Sequence, residues 1–462
     1  MQNLKIPQSL WWLFLFLLTV PLWFIFVNPY HDWGDDFAQY LLQARNASSL
    51  TFGSTGYAPS VKGWLFSVLL LPAVIWFPSN EILGAKVIVT ALAAASVFPI
   101  YFLATRRLLC NSLTAIALCG FYLFNFQSLL IKDQIVPEFG FILTSALALS
   151  LTSSLNSRHV VLGVAVALLT VGIKSSGWVL FSVLLLVAFR KGVVSKFQWW
   201  IFLLLACITL AVAFYFLPSQ SGAVWYIQQT LTRFSFQTIV NHASIYYHTI
   251  PKFFEMELPM WMNNMIFLFF LAGWLGATIR SIRNYFDGKS DLLGTITAFQ
   301  LLYLLMLLCY PYAGEPFRFL FPLLPFALLS CVSFYHRLLL HSGLQNWLGI
   351  ALFFVMLTNL PGVQKAMKMR PDYGPFQSQN KQLFQFLKSH PESPATRCSE
   401  KPFAFTYFTG LLFVPISEKV TSGSRWVISR RSGTDIVLPD NMVEVYSNSQ
   451  WRVFDEQNPG LP

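Results

Sequence analysis

Charged side chains are scarce in this sequence. Of its 462 residues only 11% are Asp, Glu, Lys or Arg, whereas 55% are hydrophobic and 17% are aromatic. Such a composition excludes an intrinsically disordered chain, a collagen-like fibre and a disulfide-stapled scaffold. We therefore expect a polytopic membrane protein.

Recognised ligand and cofactor motifs are also missing. The six cysteines follow neither a metal-ligand spacing nor a disulfide framework. No Gly-rich phosphate loop, HExxH zinc motif or Ser-His-Asp order occurs, so nothing favours the use of a nucleotide sugar inside the cell. The separation of His242 and His248 is not a recognised helical metal spacing. We predict no metal ligand, and a requirement for a divalent metal as cofactor stays open.

The net charge of +11 comes from Lys and Arg residues that are scattered between apolar segments. This dispersion argues against a nucleic-acid partner and is typical of the positive-inside rule for membrane proteins. With the basic loops in the cytoplasm, loop 29–81, loop 218–262 and the C-terminal tail lie outside. The residues predicted to be cytoplasmic are Lys5, Arg106, Arg107, Arg158, Arg190, Lys191, Lys196, Arg280, Arg283, Lys289 and Arg337.

A bilayer is crossed by helices of roughly 17–25 apolar residues, and by shorter ones where a bundle buries them. The first apolar segment lacks a small-residue cleavage site, which predicts a retained helix rather than a signal peptide. The short segment 61–77 contains Trp64 and Trp76 and is predicted to lie in the membrane interface. About eleven spans are predicted, near 10–28, 82–104, 113–131, 138–154, 159–173, 176–190, 197–217, 263–280, 292–311, 319–335 and 346–361.

The chain changes character near Gly362. From there on 21 of 101 residues are charged, a higher density than in the preceding 361 residues, which indicates a domain boundary. We predict a transmembrane domain over 1–361 and a small extracytoplasmic α/β domain over 362–462. Apolar spacing and alternation in the second domain predict a helix over Phe376–His390, strands over Lys401–Thr409 and Arg425–Ser429, and a hairpin over Met442–Phe454.

Three carboxylates follow the first apolar segment, in the sequence Asp32-Trp33-Gly34-Asp35-Asp36. Carboxylates beside hydrocarbon are costly unless they do chemistry, bind a cation or stay solvated. Asp35 and Asp36 begin an amphipathic stretch in which Tyr40 shares a helix face with Asp36. Two adjacent carboxylates repel, which raises the pKa of one of them. They are candidates for a catalytic base; a helix N-cap explains them equally well, and the two roles can coexist.

Cationic side chains at the outer membrane surface are candidate phosphate ligands. Lys62 lies on the side that the positive-inside rule leaves poor in Lys and Arg, although snorkelling also explains it. Lys174 separates two apolar runs that are too short to hide it in lipid, so it must face a cavity or the outer surface. Arg318 precedes a Pro-rich segment, and cations within or at the boundary of a membrane span are functional candidates. Arg suits phosphate because its planar fork binds two oxygens. Asp133, in a short external turn, can act on a substrate or serve solubility alone.

These residues, in this order, resemble the GT-C superfamily of membrane glycosyltransferases, in particular the dolichyl-phosphate-mannose–protein mannosyltransferases and the bacterial aminoarabinose transferases of lipid A. The acidic pair of that family, with its following Tyr and Ala, is matched by Asp35-Asp36, Tyr40 and Ala44, although the pair is usually Asp-Glu. A Tyr-Pro-Lys-Pro-Pro-like segment is matched in part by Tyr57, Pro59 and Lys62. The Asp after the third span, the Lys that ends the fifth and the Arg before a Pro-rich span are matched by Asp133, Lys174 and Arg318.

The resemblance implies an all-α, GT-C-like membrane domain that transfers a sugar from a polyprenyl-phosphate donor to a glycan, lipid or protein acceptor on the outer face, by inverting displacement. It implies Asp35 as the base with Asp36 assisting, although the choice between the two stays open. It further implies Lys62, Lys174 and Arg318 as ligands of the donor phosphate and Tyr40, Tyr57 and Asp133 as substrate-orienting residues. The compact loops favour the plasma membrane of a bacterium, with a cytoplasmic N-terminus and a periplasmic or extracellular C-terminal domain.

A transporter or flippase for a glycolipid is the alternative, because many spans and intramembrane charges suit it equally well. Transporters often contain two similar halves with interrupted spans in corresponding places, and the sequence shows no such repeat. A membrane-bound scaffold or receptor would leave the acids and cations unexplained. We therefore expect a glycosyltransferase.

Overall fold

Two compact units, each assembled from several segments of the chain, make up the computed structural model. The membrane unit contains Met1–Val27, Ser60–Phe66 and Lys86–Met369, and the mixed unit contains Asn28–Pro59, Ser67–Ala85 and Arg370–Pro462. The division predicted after residue 361 was based on charge density along the chain, whereas these two units are defined by contacts in space. The predicted domain boundary therefore stays a prediction. The structure describes residues 7–48, 63–193, 232, 234–255, 258–287, 291–310, 314–340, 344–368, 374–389, 397–416, 426–431, 438 and 442–456.

Helices dominate the described residues. In chain order they are α1 (Gln8–Thr19), α2 (Asp35–Ser48), α3 (Trp64–Leu69), α4 (Leu71–Trp76), α5 (Glu81–Phe102), α6 (Ser112–Phe124), α7 (Phe126–Asp133), α8 (Glu138–Thr152), α9 (Ser157–Ile173), α10 (Gly177–Arg190), α11 (Phe236–Thr249), α12 (Met260–Phe286), α13 (Leu292–Cys309), α14 (Pro316–Leu320), α15 (Leu324–Leu338), α16 (Gln345–Leu357), α17 (Leu360–Lys368), α18 (Ser378–Ser389) and α19 (Pro402–Thr409). The predominantly helical class expected for the membrane domain is confirmed.

Among the described residues, fewer than eleven helices are long and apolar enough to cross a membrane. Five helical segments in the described part of the chain are long and apolar enough, and a sixth results when α6 and α7 count as one bent span. Five further apolar segments, among them α8, α9 and α10, are shorter than 18 residues. An α-helix rises 1.5 Å per residue, so helices of this length cross a hydrocarbon core of about 30 Å only where a bundle buries them. The count of eleven is therefore not confirmed, and segment 197–217 lies outside the described residues.

Asn125 lies at a sharp break between two apolar helices. Its side-chain oxygen accepts a hydrogen bond from the backbone N–H of Gln127, which ends α6 and begins α7. The two helices meet at 52°. A polar turn follows, in which Ile135 has a positive φ of 50° and from which α8 begins at Glu138. Three charged residues, Lys132, Asp133 and Glu138, thus lie in the short stretch of chain that follows the bend.

A tight turn joins α9 to α10. Lys174 ends α9 with an extended backbone (φ −148°, ψ 130°). A Cβ atom on Gly177 would lie 2.5 Å from the backbone nitrogen of Val171, so only glycine fits at the start of α10. This tight turn therefore fixes the position of Lys174 at the end of α9.

The mixed unit contains a five-stranded sheet in the order β2-β1-β3-β5-β4. Its strands are β1 (Arg397–Ser399), β2 (Val414–Pro415), β3 (Trp426–Arg430), β4 (Met442–Ser447) and β5 (Trp451–Glu456). β1 pairs in parallel with β2 and β3, whereas β5 pairs antiparallel with β3 and β4. The predicted hairpin, the strand near Arg425–Ser429 and the helix within Phe376–His390 are confirmed.

The strand predicted over Lys401–Thr409 is wrong, because this segment forms α19. Phe403, Phe405 and Tyr407 alternate with smaller residues, which is the pattern of a strand. Pro402 at the first helical turn favours a helix start, and Gly410 ends the helix with a left-handed φ of 76°. Pro402 and Gly410, at the two ends of the segment, thus outweigh its alternating pattern. The helix buries Ala404, Phe405 and Thr406.

Aromatic side chains form the core of the mixed unit. Trp451, Phe405 and Leu383 are fully buried. Trp33, from the acidic segment, packs against this core, with its ring centroid 4.8 Å from that of Trp451 and 5.3 Å from that of Phe405. The segment that contains the carboxylates is thereby anchored to the C-terminal sheet.

Replacing Trp451 by Ala is expected to destabilise the mixed unit by about 3–5 kcal/mol, because the substitution leaves a cavity among buried rings. Val443→Ala, at a side chain that is 42% exposed, is the control and should cost less than about 0.5 kcal/mol. Limited proteolysis of the full chain in detergent measures both effects. Equal resistance of the two variants to proteolysis would contradict this description of the core.

Candidate active site

Glu138 is the centre of an ion cluster in the membrane unit. Its side chain is 0% exposed, and its Oε1 accepts hydrogen bonds from Lys174 Nζ and from Arg318 Nε, each at 2.9 Å. Arg318 Nη1 also donates to Glu315 Oε2 at 2.9 Å. Two cations and two carboxylates thus lie together, and one of the carboxylates is fully buried.

Three separate elements supply this cluster. Glu138 is the first residue of α8, and Lys174 is the residue that ends α9. Arg318 lies in α14, a short helix that begins at Pro316 and follows Glu315. Glu138 at the start of a helix and Lys174 at the end of one each carry the charge that the helix dipole favours at that end.

The cluster retains capacity to bind a further anion. The side chains of Lys174 and Arg318 are 14% and 9% exposed, whereas that of Glu315 is 58% exposed. An ammonium group has three N–H donors. Among the described residues, the Lys174 ammonium donates one hydrogen bond, to Glu138. The Oε2 atom of Glu138 is buried without a hydrogen-bond partner among the described residues. A ligand that brings both negative charge and a donor would complement these groups.

A second polar group surrounds the turn that begins at Asp133. Lys86, which is 1% exposed, forms an ion pair with Asp133. Lys132, which is 2% exposed, donates to the backbone oxygen of Ile25 and, at 3.1 Å, to Thr90 Oγ1. The predicted substrate-orienting Asp133 is thus the counter-ion of a buried lysine, a role that nothing in the sequence pattern indicated.

The acidic segment lies in the mixed unit, where Asp35 caps a helix other than its own. Asp35 begins α2, and its Oδ1 accepts a hydrogen bond of 2.9 Å from the backbone N–H of Ala404, in the first turn of α19. Desolvation of this half-buried carboxyl raises its pKa to about 6, and Asp36 adds to the rise. The backbone N–H groups of Ala404 and Phe403 and the charge of Lys401 act in the opposite direction.

Asp32 differs from Asp35 in its surroundings. Its side chain is 61% exposed, and its Oδ1 lies 2.9 Å from Nδ1 of His31. The backbone N–H of Gly34 donates to the same oxygen at 2.8 Å. Desolvation raises the pKa of Asp32, but the contact with His31, the backbone N–H of Gly34 and the charge of Lys401 together outweigh it and hold the pKa below its usual value. Asp32 is therefore ionised at neutral pH, whereas Asp35 titrates close to it.

The opposite end of α2 is held by an ion pair within the same unit. Arg45 Nε lies 2.9 Å and 3.0 Å from the two carboxylate oxygens of Glu81. Its guanidinium also lies 4.5 Å from the centroid of the Tyr407 ring of α19. Both ends of α2 thus contact α19, which fixes the helix that contains Asp35, Asp36 and the 1% exposed Tyr40.

Of the eight site residues predicted from the sequence, the structure brings two into one cluster. Lys174 and Arg318 meet at Glu138. Asp35, Asp36 and Tyr40 lie together on α2, and Asp133 lies in the neighbouring polar turn of the membrane unit. Lys62 and Tyr57 lie outside the described residues. No role was predicted for Glu138 or Lys86. The available signals were a carboxylate at the start of an apolar helix for Glu138 and a lysine inside an apolar helix for Lys86.

An apolar cavity lies beside the segment that contains Arg318. It has a volume of about 120 Å³. Leu320 and Leu323, just after Arg318, line it together with Phe253, Phe270 and Trp274. Phe317 packs on Phe253, with the ring centroids 5.5 Å apart. A binding site for a molecule with a charged end and an apolar body would use both the ion cluster and this cavity.

Among the described residues, the potential metal ligands do not gather into a site. No cluster of three His, Cys, Asp or Glu side chains is close enough there to hold a metal ion.

These elements form a fold that is shared with solved protein structures. The structure is similar to that of ArnT from Cupriavidus metallidurans bound to undecaprenyl phosphate, with a TM-score of 0.60 and 10% identity over 98% of this chain and 99% of that chain. The apo structure of the same protein gives a TM-score of 0.56 with the same identity and coverage.

Sequence comparison adds nothing to the structural likeness, since no family model and no curated protein sequence matches this chain. At 10% identity the likeness to ArnT establishes the fold alone. The resemblance to aminoarabinose transferases predicted from the sequence is thereby confirmed for the fold, and the chain is an integral membrane protein.

Replacing Glu138 by Gln is expected to destabilise the membrane unit by about 3–5 kcal/mol, because two largely buried cations lose the charge that they share. Thermal unfolding in detergent measures this loss. Glu315→Gln is the matched control; its carboxylate is 58% exposed, so it should cost no more than about 1 kcal/mol. Equal losses in the two variants would contradict the central place of Glu138.

Asp35→Ala is expected to destabilise the mixed unit relative to Asp35→Asn by about 0.5–2 kcal/mol, because Asn keeps an acceptor oxygen for the N-terminus of α19. The comparison is made at pH 7.5 by limited proteolysis of the full chain. The pKa of Asp35 is raised from 3.8 to about 6, so its protonated form favours folding and this contribution is lost as the pH rises through 6. Asn should therefore be no less stable than Asp at pH 7.5, and identical losses in Asn and Ala would refute the cap.

Proposed function

We propose that this chain is an integral-membrane glycosyltransferase that moves a sugar from a polyprenyl-phosphate donor to an acceptor on the outer face of the membrane. The observation that supports it best is the pairing of Lys174 and Arg318 on the buried Glu138. The shared fold with a protein that was crystallised with undecaprenyl phosphate adds to it. We further propose the inner membrane of a bacterium, with a cytoplasmic N-terminus and a periplasmic C-terminal region.

The phosphate of the donor is proposed to bind Lys174 and Arg318, with Lys62 as a third ligand. A lipid-linked phosphate lies at the headgroup level, where cationic groups at helix ends can reach it. Arg offers several N–H donors in one plane and Lys a mobile ammonium, which together suit a tetrahedral oxyanion. Both cations are oriented by hydrogen bonds to Glu138, so they need little rearrangement when the ligand arrives.

The polyprenyl chain is proposed to begin in the apolar cavity beside Arg318. A dry apolar cavity of about 150 Å³ accepts a molecule the size of benzene. The volume of about 120 Å³ next to Leu320 and Phe253 therefore suits one isoprenyl unit. Burial of each methylene contributes about 0.8 kcal/mol, which would favour a lipid-linked donor over a water-soluble one.

Asp35 is proposed to act as general base, with Asp36 assisting. The carboxylate takes the proton of the acceptor hydroxyl, whose oxygen forms a bond to the anomeric carbon of the sugar. The bond between that carbon and the phosphate oxygen breaks on the opposite face, and its electron pair stays on the phosphate. Configuration is inverted in this single step. A pKa of about 6 suits a base that operates near neutral pH.

The remaining predicted residues are proposed to orient the substrates. Tyr40 lies on the same face of α2 as Asp36, and Tyr57 belongs to the segment that contains Lys62. Asp133 keeps a side-chain exposure of 19% beside Lys86, which leaves its carboxylate within reach of an acceptor hydroxyl. The sugar, the acceptor and any need for a divalent metal are to be found by experiment.

Transfer is tested with the purified chain in proteoliposomes that contain a panel of undecaprenyl-phosphate sugars. A glycosyltransferase releases undecaprenyl phosphate and forms a new glycosidic product in the presence of an acceptor. A transporter or flippase would instead move the intact lipid between leaflets without breaking the sugar–phosphate bond. Movement without cleavage would overturn the proposal.

Asp35→Asn is expected to lower kcat for transfer by at least about 100-fold, because general-base catalysis contributes on that order. In the wild type, kcat/KM should rise with pH and level off above about 6, as Asp35 loses its proton. Asp32→Asn is the control, since the exposed Asp32 belongs to the same segment, and it should retain most of the activity. Full activity of Asp35→Asn with loss in Asp36→Asn would instead assign the base to Asp36.

A further inference from the structure

Among the described residues two carboxylates contact Arg318, and they differ sharply in their access to water. Glu138 is 0% exposed and bonds Arg318 Nε, whereas Glu315 is 58% exposed and bonds Arg318 Nη1. A buried charge that loses its partner cannot be resolvated and is strongly destabilised. An exposed carboxylate that leaves its partner returns to water at little cost, since such pairs contribute on the order of 0–1 kcal/mol. Glu138 is therefore the fixed partner of Arg318, and Glu315 is the exchangeable one.

The charges of the cluster also indicate that Glu315 is the exchangeable partner of Arg318. Lys174 and Arg318 are balanced by Glu138 and Glu315, so the four side chains together carry no net charge. Withdrawal of Glu315 leaves a net charge of +1 on the three that remain. An incoming anion thus competes with Glu315 for the guanidinium, and the outcome depends on the charge of the anion.

We propose that Glu315 is an exchangeable counter-ion of Arg318, which the lipid phosphate displaces on binding and which competes with the leaving phosphate after transfer. This inference rests on the proposed function. The donor is a phosphodiester with one negative charge, whereas the product is a phosphate monoester with on the order of 1.5–2 negative charges near pH 7. Without a competing carboxylate, the cluster would hold the product more tightly than the donor. Glu315 competes for Arg318 and weakens the binding of the product, which favours product release.

The test is the affinity of the full chain, in nanodiscs, for undecaprenyl phosphate and for undecaprenol. Glu315→Gln should tighten the binding of undecaprenyl phosphate about two- to fivefold, the range expected for removal of one exposed competing ion pair. Binding of undecaprenol, which lacks the phosphate, should not change. The inhibition constant of undecaprenyl phosphate as product should fall by the same factor, and kcat should fall with it if product release limits the rate.

Glu444→Gln is the matched control, because Glu444 is an exposed carboxylate in β4, and it should leave both affinities unchanged. A purely structural role of Glu315 predicts weaker binding in Glu315→Gln, and that result, or an unchanged affinity, would overturn the proposal. Tighter binding of undecaprenol as well would also overturn it, because the effect would then not act through the phosphate. Failure of the wild type to bind undecaprenyl phosphate would refute the proposed function and this inference together.

Discussion

A carboxylate inside a membrane domain imposes the constraint on which the candidate phosphate site depends. Glu138 has no exposed surface, and an ionised group in that position is stable only when cations surround it. Lys174, 36 residues away, and Arg318, 180 residues away, meet this requirement at one oxygen atom. The ion cluster therefore joins three helices and fixes the direction of both cations. The same interactions stabilise the unit and prepare a surface for an anion.

The chemistry divides between two kinds of group. Cations with a buried, fixed counter-ion suit the phosphate, since the charge that develops on a leaving phosphate is then met by groups already in place. A carboxyl that titrates near neutral pH suits proton abstraction, and the surroundings of Asp35 raise its pKa to about 6. The cap that Asp35 provides for α19 does not conflict with this role, because a carboxylate has several lone pairs. One side chain can thus both cap a helix and accept a proton.

The sequence predicted the elements that have strong local signals and missed those that depend on tertiary contacts. The hairpin around Ser447 and the long apolar helices follow from alternation and run length, so they were predicted correctly. The segment Lys401–Thr409 was read as a strand, because alternation alone does not register the stabilisation that Pro402 and Gly410 give to a helix. Lys174 and Arg318 were found as isolated cations in apolar surroundings. Their shared partner Glu138 could not be inferred, since no local pattern indicates which distant charges meet.

The central claim is that the lipid phosphate binds the two cations that Glu138 orients. An experimental structure of the protein in nanodiscs with undecaprenyl phosphate tests it most directly. We expect phosphate density within hydrogen-bond distance of Lys174 Nζ and of the Arg318 guanidinium, with Glu138 still bonded to Arg318 Nε and Glu315 turned towards water. Phosphate density elsewhere, with the ion cluster unchanged and unoccupied, would contradict the account.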